Sequence, residues 1–240
     1  IGDRVYLVTF KKVDPFFVID LSDVNEPRVL GYLKIPGYSD YLHPYDETHV
    51  IGIGKEAIDA SENEVEGREL DFAWYQGLKI AVFDVSDVEN PVESAKIVIG
   101  DRGTDSTALY DHKAFLFDRE KNLLVLPVNL AKIDETQYKG EIPANAYGEM
   151  VWQGAFVLDI TENDIKERGR ITHIDPSDET EDRYGYRYYD WNKQIQRSLF
   201  MDDVLYTISN AKVKANNLNS LSEINSVKLP YEQPEYLPVY

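Results

Sequence analysis

A ten-residue phrase recurs along this chain, and its recurrence constrains the fold more than any other feature. It reads VIDLSDVNEP at residues 18–27 and VFDVSDVENP at 82–91, and it returns in a degraded form, VLDITENDIK, at 157–166. Each copy starts with apolar and β-branched residues, which favour strands, and continues into a polar turn that begins at an aspartate. A strand and a turn repeated along a chain predict one supersecondary unit that is used several times.

The residues around each phrase extend the unit to four predicted strands, which we call A, B, C and D, with the phrase as strand C. Strands A and B of the last three units are predicted at 41–46 and 49–54, at 112–118 and 122–128, and at 194–201 and 204–209. Strands D are predicted at 28–35, 92–99, 166–173 and 223–229. The fourth copy of the phrase, at 213–222, has diverged in sequence, and Asn217 stands where the other copies have aspartate.

Four-stranded units in tandem predict an all-β chain, a β-propeller whose blades are four-stranded antiparallel sheets. Each blade cannot bury both of its faces alone, so neighbouring blades bury them for each other. A β-sandwich also strings short strands together and stays open as an alternative, although it does not require the same phrase to recur. About four blades are visible, in a single domain over residues 1–240.

The first unit is incomplete, because residues 3–10 read as strand B and 15–21 as strand C, with no strand A before them. Either the tail at 231–240 supplies the missing strand and closes a four-bladed ring, or the chain is part of a larger propeller. We favour the larger propeller, since Pro230, Pro234 and Pro238 suit a sheet interior poorly.

Composition excludes several classes of partner and site. The net charge of −18 argues against a nucleic-acid partner, because nucleic-acid binders usually carry basic patches. The absence of cysteine excludes disulfides, zinc–thiolate sites and thiol nucleophiles. No apolar run approaches the roughly 20 residues that a membrane helix needs. A protein, a peptide or a glycan remains compatible with this composition as a partner. The composition does not indicate an oligomeric state.

The longest predicted connections all belong to one side of the disc. They are 55–76 and 129–152, between strands B and C, and 172–193, between strands D and A. In an up-and-down blade these two kinds of connection emerge on the same face, which we call the loop face. The A–B and C–D turns emerge on the opposite face, which we call the turn face. Long loops on one side of a rigid scaffold commonly carry binding, so we expect a ligand on the loop face.

The predicted loop face is acidic and aromatic, a chemistry suited to basic peptides, sugars or cations. The candidate binding residues are aromatic side chains in or beside the long connections: Trp74, Tyr75, Trp152, Tyr186, Tyr188 and Trp191. The alternative is structural, with acids that solvate the loops and aromatic rings that pack the loops onto the disc.

A second candidate site lies in the central channel, which the innermost strand A of each blade lines. Asp40, His43, Asp111 and His112 fall on or beside these strands. Histidines with carboxylates could hold a divalent cation such as calcium or do acid–base work. Alternatively, each bonds to backbone or water. We expect His49 and His173, at a turn and a strand end, to be surface residues.

The aspartates that repeat with the phrase are expected to be structural, because an aspartate at a strand exit can accept hydrogen bonds from the amides of the following turn. The acidic run at 175–182 lacks the glycine that an EF-hand loop demands, so it is a weak calcium candidate. No Gly-x-Ser-x-Gly, His-Glu-x-x-His or glycine-rich phosphate loop is present, so no catalytic residue is assigned.

Several phrases together resemble a known family. They are GYSDYLHPYD at 37–46, QGLKIAVFDVSDVENP at 76–91, DHKAF at 111–115 and QIQRSL at 194–199. They look like the secreted C-terminal β-propeller domain family of archaea and bacteria. The resemblance implies a propeller in an exported or cell-surface protein, and it carries over no catalytic residues.

These observations predict a non-catalytic, secreted or cell-surface propeller scaffold that binds a protein, glycan or cation through its loop face. The alternative is a metal-dependent enzyme with a site in the central channel. A third reading is a structural module of a surface layer or larger assembly.

Overall fold

The computed structural model describes residues 1–9, 15–59, 73–175, 180–181, 187–188 and 190–231; for residues 59, 180–181 and 187–188 it describes the backbone alone. Within these ranges the chain forms strands and short 3-10 turns, with no α-helix. All strand pairs are antiparallel. The prediction of an all-β propeller with antiparallel blades is confirmed.

Four sheets follow one another along the chain, and within each sheet the strands are neighbours in sequence order. Blade 1 has three strands: β1 (Arg4–Val8), β2 (Pro15–Asp20) and β3 (Arg28–Lys34). Blade 2 has β4 (Tyr38–Pro44), β5 (His49–Asp59), β6 (Ala73–Asp84) and β7 (Val92–Ile99). Blade 3 has β8 (Leu116–Asp118), β9 (Leu123–Lys132), β10 (Glu149–Thr161) and β11 (Asp164–Ile171). A short hairpin, β12 (Thr180–Glu181) with β13 (Arg187–Tyr188), precedes blade 4, which has β14 (Arg197–Met201), β15 (Val204–Ile208), β16 (Lys212–Asn217) and β17 (Glu223–Lys228).

Alternate residues of the central strands pack to opposite sides, and this alternation joins each blade to its neighbours. On β9, Leu124 and Leu126 enter a hydrophobic cluster shared with blade 2, whereas Leu123 and Val125 enter another cluster shared with blade 4. A third cluster joins blades 1 and 2 through residues such as Phe16. Side chains in a strand point alternately to the two faces, so a strand buried on both faces reads as a continuous apolar run.

The side chain at the repeated aspartate position fixes the turn in three of the four blades, twice as aspartate and once as asparagine. Asp20 and Asp84 accept hydrogen bonds from the amides two residues later, at 2.9 and 2.8 Å. Asn217 does the same work with its side-chain oxygen, which accepts from the amides of Asn219 and Ser220. In blade 3 the degraded phrase departs from this pattern, because Asp159 pairs with the Arg168 guanidinium. The repeat therefore preserves local turn geometry.

The innermost strands of blades 3 and 4 are shorter than expected; in blade 4, β14 begins at Arg197 rather than at residue 194. The sequence predicts strand A of blade 3 from His112, but β8 begins at Leu116 and residues His112–Ala114 form a 3-10 turn. The cause is local: the Asp111 carboxylate accepts a hydrogen bond from the Lys113 amide at 2.9 Å and caps the turn.

The outward faces of the first and last sheets keep apolar side chains in solvent. On blade 1, Leu7 and Tyr32 flank Phe17 in the strand register and are 46% and 55% exposed. On blade 4, Met201 and Val227 are 56% and 58% exposed. Among the described residues, none of the three hydrophobic clusters joins blade 4 to blade 1. The larger ring stays a prediction, and a further sheet on either side would bury these side chains.

Candidate functional site

A pocket of about 320 Å³ opens on the loop face, between blades 2 and 3. Its walls come from the starts of β4 and β6, from the C-terminal half of β5, and from the connections 100–115 and 133–148. Four tyrosines share in lining it: Tyr38, Tyr75, Tyr110 and Tyr147. The connections that build it are of the B–C and D–A kinds, so the pocket lies on the face that the sequence predicts for binding.

A lysine and an aspartate in the pocket wall form an ion pair. The Lys55 ammonium donates to the Asp105 Oδ1 at 3.0 Å and to the backbone carbonyl of Thr104. The backbone of Asp105 is fixed, because its N–H and C=O both form hydrogen bonds with the backbone of Asn129 on β9. The Tyr110 hydroxyl lies 3.4 Å from the same carboxylate oxygen. This anchoring to a central strand makes the pocket a preorganised arrangement.

A stacked arginine forms one wall of the pocket. The guanidinium of Arg102 lies over the Trp74 ring, 4.6 Å from its centroid, and 5.7 Å from that of Tyr147. Its Nε is buried and makes no hydrogen bond to any described residue. The chain can bring Tyr147 this close because Gly103 has φ +106° and no side chain; a Cβ there would lie 2.7 Å from a carbon of that ring.

Asp40 stands beside this pocket, at an irregularity in the pairing of β4 with β5. Asp40 keeps contact with solvent, yet partial burial raises the pKa of its carboxyl to about 6; Lys55 opposes this shift and the negative charge of Asp105 reinforces it. Burial, followed by the charge of Asp40, also raises the pKa of Tyr38. The Tyr38 ring meets Tyr75 edge to face, with centroids 4.8 Å apart. A protonated carboxyl and tyrosine hydroxyls can both donate hydrogen bonds to a ligand.

The predicted binding residues are scattered. Trp74 and Tyr75 belong to the pocket region. Trp152 instead packs against Phe156, with ring centroids 5.3 Å apart, and Trp191 is 62% exposed in a separate 3-10 turn. Tyr186 lies outside the described residues, as do the side chain of Tyr188, residues 60–72 and most of the acidic run at 175–182.

The four predicted metal ligands do not converge. The His43 Nδ1 lies 2.9 Å from the Tyr41 hydroxyl, and Asp111 pairs with Arg197 at 2.5 Å. His112 is exposed. No three of the four offer ligand atoms within 4.8 Å of one another. Burial lowers the pKa of His43, which keeps it neutral. The divalent-cation site at these residues stays a prediction.

A closer cluster of ligand-type atoms lies on the turn face. Asp46, His49 and Glu162 bring such atoms within 4.8 Å of one another, the one such trio among the described residues. Arg119 already supplies a cation there, 3.0 Å from Asp46 and 3.8 Å from Glu162. We interpret the cluster as an ion-pair network that joins the turns of blades 2 and 3.

One histidine is placed differently from the expectation. His173 was expected at the surface, but it is fully buried, and its Nδ1 and Nε2 lie 2.9 Å from the hydroxyls of Ser209 and Thr207. Burial, followed by the nearby charges of Lys214 and Lys212, lowers its pKa to about 3. Its partners belong to blade 4, so the sequence around His173 alone carries no sign of them.

Sequence reasoning missed Arg102, Asp105 and Tyr110, because it did not count the connection 100–115 among the long ones. A signal was present. The stretch GDRGTD at 100–105 carries two glycines among polar residues, which is typical of a loop with demanding backbone geometry. Both glycines have positive φ in the structure.

Comparison with known proteins gives relatives whose activity is unknown. An uncharacterized protein of Methanocaldococcus jannaschii is 41% identical over 126 residues, and one of Archaeoglobus fulgidus is 37% identical over 126 residues. Each match covers 52% of this chain and 17% of the relative, so the matched segment is a small part of a much longer protein.

Solved structures give only a distant likeness. A mutant of the Synechocystis apocarotenoid oxygenase aligns with a TM-score of 0.39 at 8% identity, over 98% of this chain and 50% of that one. Apo AztD from Citrobacter koseri aligns with a TM-score of 0.26 at 8% identity, over 94% of each chain. Similarity this low carries no argument about activity.

Two further findings bear on the class of protein. In the part of the chain that the structure describes, no helix has the length and apolarity needed to cross a membrane. The model of the beta propeller domain family matches residues 1–221. The chain belongs to the beta propeller domain family.

Proposed function

We propose that this chain is a binding scaffold whose blades hold a small polar ligand, or the tip of a larger one, in the pocket on the loop face. The observation that carries the proposal is the pocket itself: tyrosines and an anchored Lys55–Asp105 pair surround a concave space of about 320 Å³. Pockets of about 300–1,000 Å³ with a few fixed polar groups are typical of ligand sites.

The scaffold around the pocket is rigid, which supports binding. Thr104 is fully buried, and its hydroxyl exchanges hydrogen bonds with the backbone of Ala131 at 3.0 and 3.1 Å. The Lys55 side chain is 13% exposed and is tied to two acceptors. Groups fixed before the ligand arrives lose little freedom on binding, so more of the contact energy appears as affinity.

A thermal-shift screen over ligand classes tests the proposal. Neutral sugars, amines, organic acids and divalent cations are added in turn, and a compound that binds only the folded state raises the melting temperature. We expect at least one class to stabilise the protein and to lose that effect in Asp105→Asn. The matched control is Asp164→Asn, which alters an exposed aspartate on the turn face. Absence of any stabilising class, or equal stabilisation of Asp105→Asn, would refute the proposal.

Export or display on the cell surface is part of the same proposal. It is supported by the resemblance to secreted propeller proteins and by the acidic composition, with a net charge of −18. The test is digestion of intact producer cells with an external protease, followed by antibody detection of the chain. Complete protection in intact cells, with digestion after lysis, would contradict it.

A second candidate function is acid–base catalysis, and Asp40 is the observation that favours it. A carboxyl with a pKa raised to about 6 beside a second carboxylate is an arrangement that enzymes use. The form predicted from the sequence, a metal-dependent enzyme, is tested by metal analysis of the purified protein. Stoichiometric metal that disappears in His112→Ala would favour the enzyme over the binding scaffold.

A further inference from the structure

Two tyrosines at the pocket are strongly exposed although their surroundings hold them in place. Tyr110 is 77% exposed and Tyr147 is 67% exposed. The Tyr110 hydroxyl is 3.4 Å from the anchored Asp105 carboxylate, and the Tyr147 ring lies against Gly103 and the Arg102 guanidinium. Exposed aromatic rings that line a concave site are a common platform for ligands, because each presents a flat apolar face with a polar tip.

The polar groups beside these rings both donate and accept hydrogen bonds. The Lys55 ammonium has three N–H groups and, among the described residues, donates to two acceptors, Asp105 and the Thr104 carbonyl. The Asp105 carboxylate can accept more hydrogen bonds than it receives here. A ligand that fits this set must itself be rich in groups that donate and accept, as hydroxyl groups do.

The local charge selects against strongly charged ligands. Lys55 and Arg102 bring two positive charges to the pocket, and Asp105 and Asp40 bring up to two negative charges. An ammonium ligand would be repelled by the two cations as well as attracted by the carboxyls, and a dianion would be repelled by the carboxyls as well as attracted by the cations, so neither gains a clear local advantage. A neutral ligand meets neither penalty.

We propose that the pocket binds a neutral saccharide, as a mono- or disaccharide or the end of a longer glycan. This inference rests on the proposed function and names its ligand class. An apolar face of the pyranose ring lies against Tyr147 or Tyr110, and the ring hydroxyls bond to Lys55 and Asp105. The pocket volume of about 320 Å³ suits one or two sugar rings.

Saturation-transfer NMR on the purified chain tests the inference. The probes are neutral disaccharides (cellobiose, maltose, lactose, N,N′-diacetylchitobiose and mannobiose), with trilysine and digalacturonate as charged competitors. We expect at least one neutral disaccharide to bind with a Kd in the millimolar range or tighter. Its affinity should fall at least about tenfold in Tyr147→Ala and in Tyr110→Ala.

Two further variants separate stacking from other effects. Tyr147→Phe keeps the ring and should retain most of the affinity. Tyr32→Ala is the matched control, since Tyr32 is a 55% exposed tyrosine on the outward face of blade 1 and should leave binding unchanged. Circular dichroism and the melting temperature of each variant verify the fold.

The outcomes separate this inference from the proposed function. Absence of binding by every neutral disaccharide at millimolar concentration overturns the inference. Binding of trilysine or digalacturonate alone, lost in Tyr147→Ala, also overturns it but leaves a binding scaffold with another ligand. Disaccharide binding that survives both alanine substitutions overturns the assignment to this pocket.

Discussion

The buried His173 should make the stability of this protein fall as the pH drops below about 6.5. The imidazole is fully buried, and both ring nitrogens lie 2.9 Å from hydroxyls, of Ser209 and Thr207. Its pKa is lowered from 6.5 to about 3, first by burial and then by Lys214 and Lys212. In the unfolded chain the same imidazole takes up a proton near its ordinary pKa.

The sign and size of this pH effect on stability follow from proton linkage. Below pH 6.5 the His173 imidazole binds a proton in the unfolded state, whereas in the folded state it does so only near pH 3. Acid therefore favours unfolding. Each pH unit in this window is worth about 1.4 kcal/mol. Between pH 7.5 and pH 5 the histidine should therefore remove about 2 kcal/mol from the free energy of unfolding.

Urea denaturation at pH 7.5, 6 and 5 measures this effect, with His173→Gln as the comparison. The glutamine does not titrate, whereas the carboxyl groups that also respond to pH are common to both proteins. Between pH 7.5 and pH 5 we expect the free energy of unfolding to fall by about 2 kcal/mol more in the wild-type protein than in His173→Gln. Equal losses in the two proteins would refute the reasoning, because they would show that His173 binds its proton equally in both states.

Three more predictions concern the pocket and the interface between blades. Asp40→Asn should raise the urea midpoint at pH 7.5 but hardly at pH 4, because a pKa raised from 3.8 to about 6 costs the wild-type protein stability as the pH rises through this window, and the full cost is present above about pH 6. Gly103→Ala should lower the free energy of unfolding by about 1–3 kcal/mol and displace Tyr147, since φ is +106° there; unchanged stability would contradict this. Lys79→Met should destabilise the protein by about 3–5 kcal/mol, because Lys79 is 2% exposed and its partner Glu93 would lose the nearer of the two cations that the described residues place beside it, keeping Lys96 at 3.7 Å; the double variant Lys79→Met/Glu93→Leu should recover most of this loss.

The strand units were predictable because their determinants are local. The phrase at 82–91 contains an apolar strand, an aspartate that caps the turn and a proline that starts the next strand, and Asp84 makes the expected hydrogen bond to Ser86 at 2.8 Å. The side of the disc that carries the long connections also follows from strand order alone. Neither inference needs information from distant parts of the chain.

The pocket could not be predicted in the same way, because the residues that meet there are distant in the chain. Lys55 lies on β5, whereas Asp105 and Tyr147 lie in two different connections further along the chain. Local patterns show that each stretch is a loop, but the distance between two loops depends on how the blades pack. For the same reason the contact of Trp152 with Phe156 could not be predicted, and the role of Trp152 in binding stays a prediction.

The amino-acid sequence alone therefore determined the β-propeller class, the order of the strands and the face that carries the longest connections, since these depend on local hydrogen bonds and alternating apolar positions. Only the tertiary structure decided that Lys55 meets Asp105, that His173 is buried between blades 3 and 4, and that Asp111 pairs with Arg197. Those pairings join different parts of the chain, and contacts between distant residues form only when the packing of whole sheets brings them together.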